Sequence, residues 1–593
     1  MLLERLREYT LDQGDAPPAG YQNQAIRYII RLDETGRYLG MLDTADSATK
    51  SRGRLVVAPH VKRSMGVRPK LLADNGEYVL GIARDDPKKP PKSDRIAHQH
   101  EQFVALVEAC AEATNEPSVL AVARFLQGDL PTREQLGDDY DPGATLTFRV
   151  GQPDRPEGVL LVDLPAVQAF WADYLAPDAE ADGADEMACI VCGTVGPVLE
   201  RHPLKIKGIP GGQTSGMDLI SANAAAFESY GLEASRIAPT CRTCAEAYGN
   251  ALNALLASKT TSLWTKELAY AFWTEKSDHE AGEIVVGLFT EPEAHPAEVG
   301  ELLTSFWSGK MDILAIDPTR FYSAAFGASG ARVVVKDWID TTVGEARTRL
   351  ARYFALQEIV HWDGTEGTPI RVSWLANSTV HRKATAPPIV SKSLVRLALT
   401  GDPLPLDLLY LAVRRNRAEQ GVSRERAMLI KMVLASRYQH LMREKTGMTE
   451  LDSTNTQPAY VCGRLLATLD RVQRVALGTR NATIIDKYYG SASSAPASVF
   501  GTLLHGAQNH LGKMRRDRPG AHAALERQIE QILGPMETFP MTLTLEEQGL
   551  FALGFYHQRA ADRAQAAANK AKREAAGQPT VEDDAATADI VEA

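Results

Sequence analysis

The chain has 593 residues, too many for one hydrophobic core, so several domains are expected. Its 44% hydrophobic and 24% charged residues are those of an ordinary water-soluble protein, and six cysteines are too few for a disulfide-stapled secreted scaffold. The net charge of −10 argues against a nucleic-acid binder as a whole, although a binding groove needs only a local surplus of Lys and Arg.

The charged opening MLLERLREYTLDQ does not read as a signal peptide. No apolar run approaches the roughly 18–20 residues of a membrane span, so a cytoplasmic location is expected. Residues 2–12 place Leu2, Leu3, Leu6 and Tyr9 on one side of a short amphipathic helix. AIRYIIRLD and RYLGMLD flank Asp33-Glu34-Thr35-Gly36 and predict a β-hairpin with a glycine-bearing turn. RLVVAP at 54–59 and EYVLGIA at 77–83 read as further strands, separated by the basic, turn-rich segment HVKRSMGVRPKLLADNG. A Pro- and Lys-rich loop, DDPKKPPKS, precedes a helix over about 94–113. Next, the strands TLTFRVG, YAFWTE and ARVVVKDW alternate with helices near 164–175, 240–257 and 343–360, and 276–300 and 362–390 read as loops. From Ser391 apolar residues recur every three or four positions, as in RAMLIKMVLASRYQHLM and VCGRLLATLDRVQRVAL. The expected fold class is α+β. An N-terminal α/β domain spans 1–145, a mixed α/β middle domain 146–385, a C-terminal helical bundle 386–560 and a flexible, Ala- and charge-rich tail 561–593.

Four of the six cysteines form two C-x-x-C pairs, Cys189/Cys192 and Cys241/Cys244, the donor set of a structural Zn2+ site. Gly193 suits a tight knuckle turn. The pairs stand too far apart for a compact zinc ribbon, so a metal would pin two distant segments, with a binding energy on the order of 10 kcal/mol. The plainer reading is four reduced cysteines without a common role. Cys110 and Cys462 have apolar helical neighbours and belong in the core. Between the pairs runs ERHPLKIKGIPGGQTSGMDLISANAAAFESYG. Its Lys205 and Lys207 offer charge, and its glycines let backbone approach phosphates. Gln213, Thr214 and Ser215 are neutral donors of the kind used against phosphates or base edges. The alternative is a glycine-rich surface loop with solvated lysines.

One catalytic template is partly met. Cys189/Cys192, Glu200 with His202, Asn223 and Cys241/Cys244 follow the order of an HNH-like metal-dependent nuclease. The second metal-holding His is missing, since Ala245 and Glu246 follow the last pair. No phosphate-binding G-x-x-x-x-G-K-[ST], no G-x-S-x-G and no H-E-x-x-H occurs.

Several stretches together resemble the large subunit of the type I-C CRISPR Cascade surveillance complex, the Csd1-type family. They are PPAGYQNQAIRYIIRLDETGRYLGMLD, RLVVAPHVKRSMGVRPKLLADNGEYVLGI, CIVCG with RHPLKIKGIPGGQTSGMDLISANAAAFESYG, FYSAAFGASGARVVVKDW, AYVCGRLLATLDRVQRVALG and NATIIDKYYGSASSAPASVFGTLL. They span nearly the whole chain in the family's order, whereas the second C-x-x-C pair is less clearly shared. The resemblance implies a non-catalytic subunit of an RNA-guided assembly. Such a subunit recognises a short duplex motif (the PAM), promotes strand separation and R-loop formation, and supports recruitment of a separate helicase-nuclease. It also implies CRISPR RNA, target double-stranded DNA and its displaced single strand as partners. Further implied partners are the Cascade backbone and 5′-handle subunits, and a small subunit translated from the same reading frame, starting at Met448 or Met428.

Under this reading Lys62, Arg63, Ser64, Arg68, Lys70 and Asn75 are candidates for DNA contact, joined by Lys205, Lys207, Gln213, Thr214 and Ser215. Residues 391–520 hold twice as many Lys and Arg as Asp and Glu. There Arg414, Arg415, Arg471, Arg474 and Arg480 are candidates for tracking the displaced strand, with Tyr488 and Tyr489 as stacking or core residues. Two other functions compete: the HNH-like nuclease, and a pure assembly scaffold that meets only guide RNA and protein subunits.

Overall fold

The computed structural model describes residues 1–12, 17–18, 20–45, 53–61, 63, 66–84, 93–137, 139–152, 155–175, 186–222, 224–275, 289, 318–438, 448–478 and 482–575. They fall into two compact units, Met1–Ala257 with Ala328–Val334, and Ser258–Gly327 with Val335–Ala593. The fold class is α+β, as the sequence implied.

The first unit opens with helix α1 (Leu2–Asp12) and a six-stranded sheet. The long strand β1 (Tyr21–Leu32) pairs antiparallel with β2 (Tyr38–Asp43) through its second half and with β3 (Arg54–Pro59) through its first. Asp33 shapes the β1–β2 turn by accepting from the backbone N–H groups of Thr35 and Arg37. β4 (Ala73–Asn75) leads straight into α2 (Gly76–Val79). The strand expected over 77–83 is therefore replaced by a helical turn and the chain that follows it. The cause is local: Asn75 caps the turn, its Oδ1 accepting from Glu77 N at 3.1 Å and Tyr78 N at 3.3 Å. Pairing with the sheet is over at Asn75, before the apolar run begins.

Helices α3 (Ser93–Thr114), α4 (Pro117–Gln127) and α5 (Arg133–Leu136) follow, then β5 (Thr145–Gln152) and β6 (Arg155–Leu160). β5 is central, running parallel to β1 and antiparallel to β4 and β6. Phe103, Phe125, Phe148 and the fully buried Cys110 fill the core against the sheet. α6 (Pro165–Leu175) places Trp171 over Gly20, whose carbonyl accepts from Trp171 Nε1 at 2.9 Å. The two-stranded hairpin β7 (Glu186–Ala188) and β8 (Val195–Pro197) and helix α7 (Arg242–Ala257) complete the unit. α7 is fastened to the sheet region from two sides. Thr10 Oγ1 donates to Ala247 O at 2.8 Å, and Gly20 N donates to the buried Glu246 carboxylate at 2.9 Å. Burial holds that carboxylate's pKa above its ordinary value.

The second unit begins with an antiparallel sheet of β9 (Ser262–Trp264), β10 (Ala269–Thr274), β11 (Arg320–Ser329) and β12 (Arg332–Thr342), in the order β12-β11-β10-β9. Every residue of β10 is buried. Trp273, Tyr322 and Trp338 gather with ring centroids 5.6 Å apart. The helices α8 (Val343–Ala355), α9 (Val372–Asn377), α10 (Pro388–Thr400), α11 (Leu406–Glu419), α12 (Arg424–Arg437), α13 (Pro458–Leu477), α14 (Ile484–Ala492), α15 (Phe500–Asp517), α16 (Pro519–Leu533) and α17 (Leu545–Ala575) then build the helical body. The 362–390 stretch read as loop contains α9. Residues 276–288 and 290–300 lie outside the described residues.

α13 and α17 cross at two glycines: a Cβ on Gly463 would stand 2.0 Å from Phe551 O, and one on Gly554 2.2 Å from Tyr460 O. Only glycine permits this approach. Tyr489 is buried edge-on against Phe551 and Phe555, and Tyr488 packs beside it, so these tyrosines serve the core. Cys462 is fully buried. The alanine-rich segment after Ala560 continues α17 to Ala575, in keeping with the high helix propensity of Ala, Lys, Arg, Glu and Gln.

Candidate nucleic-acid interface and metal centre

The segment leading into β4 is organised by one carboxylate. Asp74 is buried; its Oδ2 accepts from the Arg63 guanidinium and from Lys70 N at 2.8 Å, and its Oδ1 from Asn75 N at 2.8 Å. Arg63 also donates through Nε to Arg68 O at 2.7 Å and lies 4.0 Å over the Tyr78 ring. Arg63 thus stiffens the segment as well as charging it. Lys70 is half-buried and donates from Nζ to Gln24 Oε1 at 2.7 Å. Burial pulls its pKa down to about 8 despite the attraction of Asp74, with Arg63 and Lys207 pushing the same way as burial.

Around this framework lies a polar cavity of about 270 Å³ lined by Arg63, Asn75, Tyr78, Arg84, Arg95 and Gln99, with Gly66 and Glu77. Arg84 and Arg95 are exposed and were not singled out from sequence. Arg84 follows the apparent strand 77–83 and Arg95 stands in a helix, so no linear window joins them to Arg63. Arg84 reaches Glu77 at 3.7 Å and Gly143 O at 3.4 Å. Arg68 is exposed, while Lys62 and Ser64 lie outside the described residues.

The four paired cysteines converge. Their Sγ atoms all lie within 4.8 Å of one another, with Cys189 and Cys244 buried. Cys192 and Cys241 are 3.9 Å apart, against about 3.8 Å for two sulfurs on a tetrahedral ion with 2.3 Å bonds. The first pair sits on the β7–β8 turn. Gly193, at φ 75°, donates to Cys189 O at 2.8 Å, and Cys189 N donates to Thr194 O at 3.0 Å. Of the second pair, Cys241 precedes α7 and Cys244 lies in its first turn. Hydrogen bonds from Thr194 bring Cys192 down to about 6, whereas burial raises Cys241 and Cys244. Four sulfurs so placed fit one tetrahedral metal ion. Leu3 packs against the cluster.

The glycine-rich stretch leaves this centre as a hairpin closed by Ile206 and Met217, whose N–H groups donate to each other's carbonyls at 2.8 and 2.9 Å. Asn253 of α7 clamps its base, accepting from Lys207 N at 2.9 Å and donating to Lys205 O at 3.0 Å. Ile206, Ile209 and Met217 are buried. The tip therefore presents Gln213, Thr214 and Ser215 to solvent, with Lys207 exposed and Lys205 half-buried.

Glu200 and His202 line a neighbouring cavity of about 340 Å³ with Arg201, Asp218 and Arg332. His202 is buried and hydrogen-bonded to the Tyr248 hydroxyl. Among the described residues, the four cysteines are the one group of His, Cys, Asp and Glu side chains placed to hold a metal. Glu200 and His202 are not part of that group, and Asn223 lies outside the described residues.

The arginines picked out in the helical unit separate into different environments. Arg414 is exposed, 5.5 Å over the Tyr410 ring. Arg415 pairs with Glu419, Arg474 with Asp470 at 3.0 Å, and Arg471 with Asp562 at 3.0 Å. Arg480 lies outside the described residues. No helix among the described residues is long and apolar enough to cross a membrane.

A family model described as CRISPR-associated protein (Cas_Csd1) matches residues 3–562, and the chain belongs to that family, as its motifs suggested. No curated protein matches it.

Proposed function

We propose that this Csd1-family protein is the non-catalytic large subunit of a type I-C RNA-guided DNA surveillance complex. It recognises the PAM in target duplex, promotes strand separation and R-loop formation, and supports recruitment of the helicase-nuclease. The observation that carries this reading is the N-terminal cavity, where three guanidinium groups and the capping Asn75 surround a polar space. Arg63, Arg68, Lys70, Arg84 and Arg95 neutralise phosphates. Asn75 spends its carbonyl on the α2 cap and keeps its amide N–H groups for an acceptor on a base edge.

The 205–217 hairpin supplies a second contact through Lys205, Lys207, Gln213, Thr214 and Ser215. The four cysteines hold Zn2+, which pins together the two segments that flank the long stretch carrying that hairpin. In the helical unit Arg414 is the exposed candidate for the displaced strand, while Arg415, Arg471 and Arg474 reach it from within ion pairs. The partners are CRISPR RNA, the Cascade backbone and 5′-handle subunits, a small subunit from the same reading frame and the helicase-nuclease.

The test is binding of target duplex, with and without the PAM, by the reconstituted guide-loaded complex carrying Asn75→Ala or Arg84→Ala. Intact assembly with lost PAM discrimination is the expected result. Unchanged discrimination moves PAM reading out of the N-terminal cavity. Failed subunit pull-downs with unchanged DNA affinity would make the chain an assembly scaffold.

A further inference from the structure

The helical unit contains a groove of about 550 Å³ between α13, the start of α16 and the C-terminal half of α17. Its cations converge from three places distant in sequence: Arg471 and Arg474 from α13, Arg518 from the α15–α16 joint, and Arg559, Arg563, Lys570 and Arg573 from α17. Arg563 to Arg573 cover about 15 Å of helix at 1.5 Å per residue, room for more than one backbone phosphate. Lys570 and Arg573 are exposed.

Two acidic residues line the groove, Asp517 and Asp562. Asp562 is already engaged: its Oδ1 takes Arg471 Nη1, Gln528 Nε2 and Gln558 Nε2, each at 3.0 Å. Its charge is therefore balanced inside the wall rather than opposed to an incoming anion. Arg563 is held in place, donating to Trp362 O at 3.2 Å with its guanidinium 5.2 Å from that ring. A guanidinium positioned in this way presents a planar fork that matches phosphate oxygens.

The lining also says what the groove lacks. Among the described residues it contains no aromatic side chain on which a base can stack, and its apolar members are small or recessed, such as Ala521, Ala566 and Leu525. A protein partner would need a central aromatic or aliphatic anchor. A strand read by its bases would need a stacking platform. We infer that this groove is a sequence-neutral clamp for consecutive phosphodiesters of a single nucleic-acid strand. The inference deepens the displaced-strand reading of the helical unit and rests on it, while its core members, Arg518, Arg563, Lys570 and Arg573, were not among the arginines picked from sequence.

The experiment uses the full-length protein without guide and measures fluorescence anisotropy of short oligothymidylate, oligoadenylate and oligouridylate strands across a salt series. The variants are the double charge reversal Lys570→Glu with Arg573→Glu, and separately Arg518→Gln. Both α17 side chains are exposed and Glu is a good helix former, so the fold is retained; circular dichroism checks this. The expected result is equal affinity for thymidylate and adenylate in the wild type. The double reversal should weaken binding roughly tenfold or more and lower the salt slope by about 1.4, that is 0.7 per lost phosphate contact. Loss with DNA and RNA alike, or with DNA alone, supports the clamp and names the strand it takes. The same variant in the guide-loaded complex should keep its discrimination between PAM-bearing and PAM-free duplex, which separates failure here from failure of the N-terminal reading. The clamp is overturned by absent wild-type binding, by unchanged affinity and slope in the double reversal, or by a strong preference for one base. Lost subunit pull-down with unchanged oligonucleotide binding overturns it too, and makes the groove a protein-docking site.

Discussion

Asp74→Ala tests whether one buried carboxylate holds the candidate DNA-reading segment in shape. The side chain is 2% exposed and binds three donors: the Arg63 guanidinium, Lys70 N and Asn75 N. Charge-assisted hydrogen bonds of this kind contribute about 1.5–3 kcal/mol each, but three sharing one carboxylate do not add. Arg63 keeps a quarter of its side-chain surface in water, which screens its part of the interaction. The expected loss is therefore about 3 kcal/mol, the low end for breaking a buried pair. Native-state hydrogen exchange read by mass spectrometry resolves such a local change. Peptides from 66–84 should exchange roughly 100-fold faster, since each 1.4 kcal/mol is a factor of ten. Peptides from α13 should be unchanged. Asp74→Asn, which keeps one acceptor oxygen, should recover part of the protection. Unaltered exchange across 66–84 in Asp74→Ala would refute the reasoning and leave the α2 cap as the sole organiser of this segment.

Three further outcomes are expected. Gly463→Ala should destabilise the helical unit by about 3 kcal/mol through its clash with Phe551 O, even though Ala normally improves a helix by up to about 1 kcal/mol; a raised urea midpoint would contradict the close α13–α17 crossing. Lys70 is held near 8 by burial, against 10.5 for a free lysine, so between those values the unfolded chain binds a proton that the folded chain lacks. Stability should rise with pH across that window, and Lys70→Met should flatten the rise in urea titrations. Cys244→Ser, or a strong chelator, should abolish stoichiometric zinc in elemental analysis and speed proteolytic cleavage within 205–217; full protection without metal would show that the hairpin stands alone.

The periodic elements were legible because their signals are local. The β1–β2 hairpin needed only alternation around Asp33–Gly36, and α3, α6 and α7 needed only apolar repeats. The cysteine cluster was legible from spacing, since two C-x-x-C pairs imply convergence whatever lies between them. EYVLGIA misled because five apolar residues look like a strand when the Asn75 cap shortly before them is given too little weight. The extension of α17 to Ala575 was read as tail because alanine and alternating charge suit both a solvated helix and an unfolded chain.

Charge was the least legible property, for a physical reason. A sequence shows how many arginines a segment has, and packing decides which of them keep their field. Arg415, Arg471 and Arg474 looked equivalent to other members of a basic stretch, yet each lies against a carboxylate, Glu419, Asp562 and Asp470 respectively. Arg84, Arg95, Lys570 and Arg573 stood in unremarkable contexts and reach solvent at the edges of two cavities. A chain of net charge −10 can therefore carry two concentrated basic sites, because at each of them one carboxylate is tied up in the wall that positions the bases. Asp74 beneath Arg63 and Asp562 beneath Arg471 play the same part in different folds. In both places the carboxylate fixes one arginine as a strut, and the neighbouring exposed cations supply the attraction.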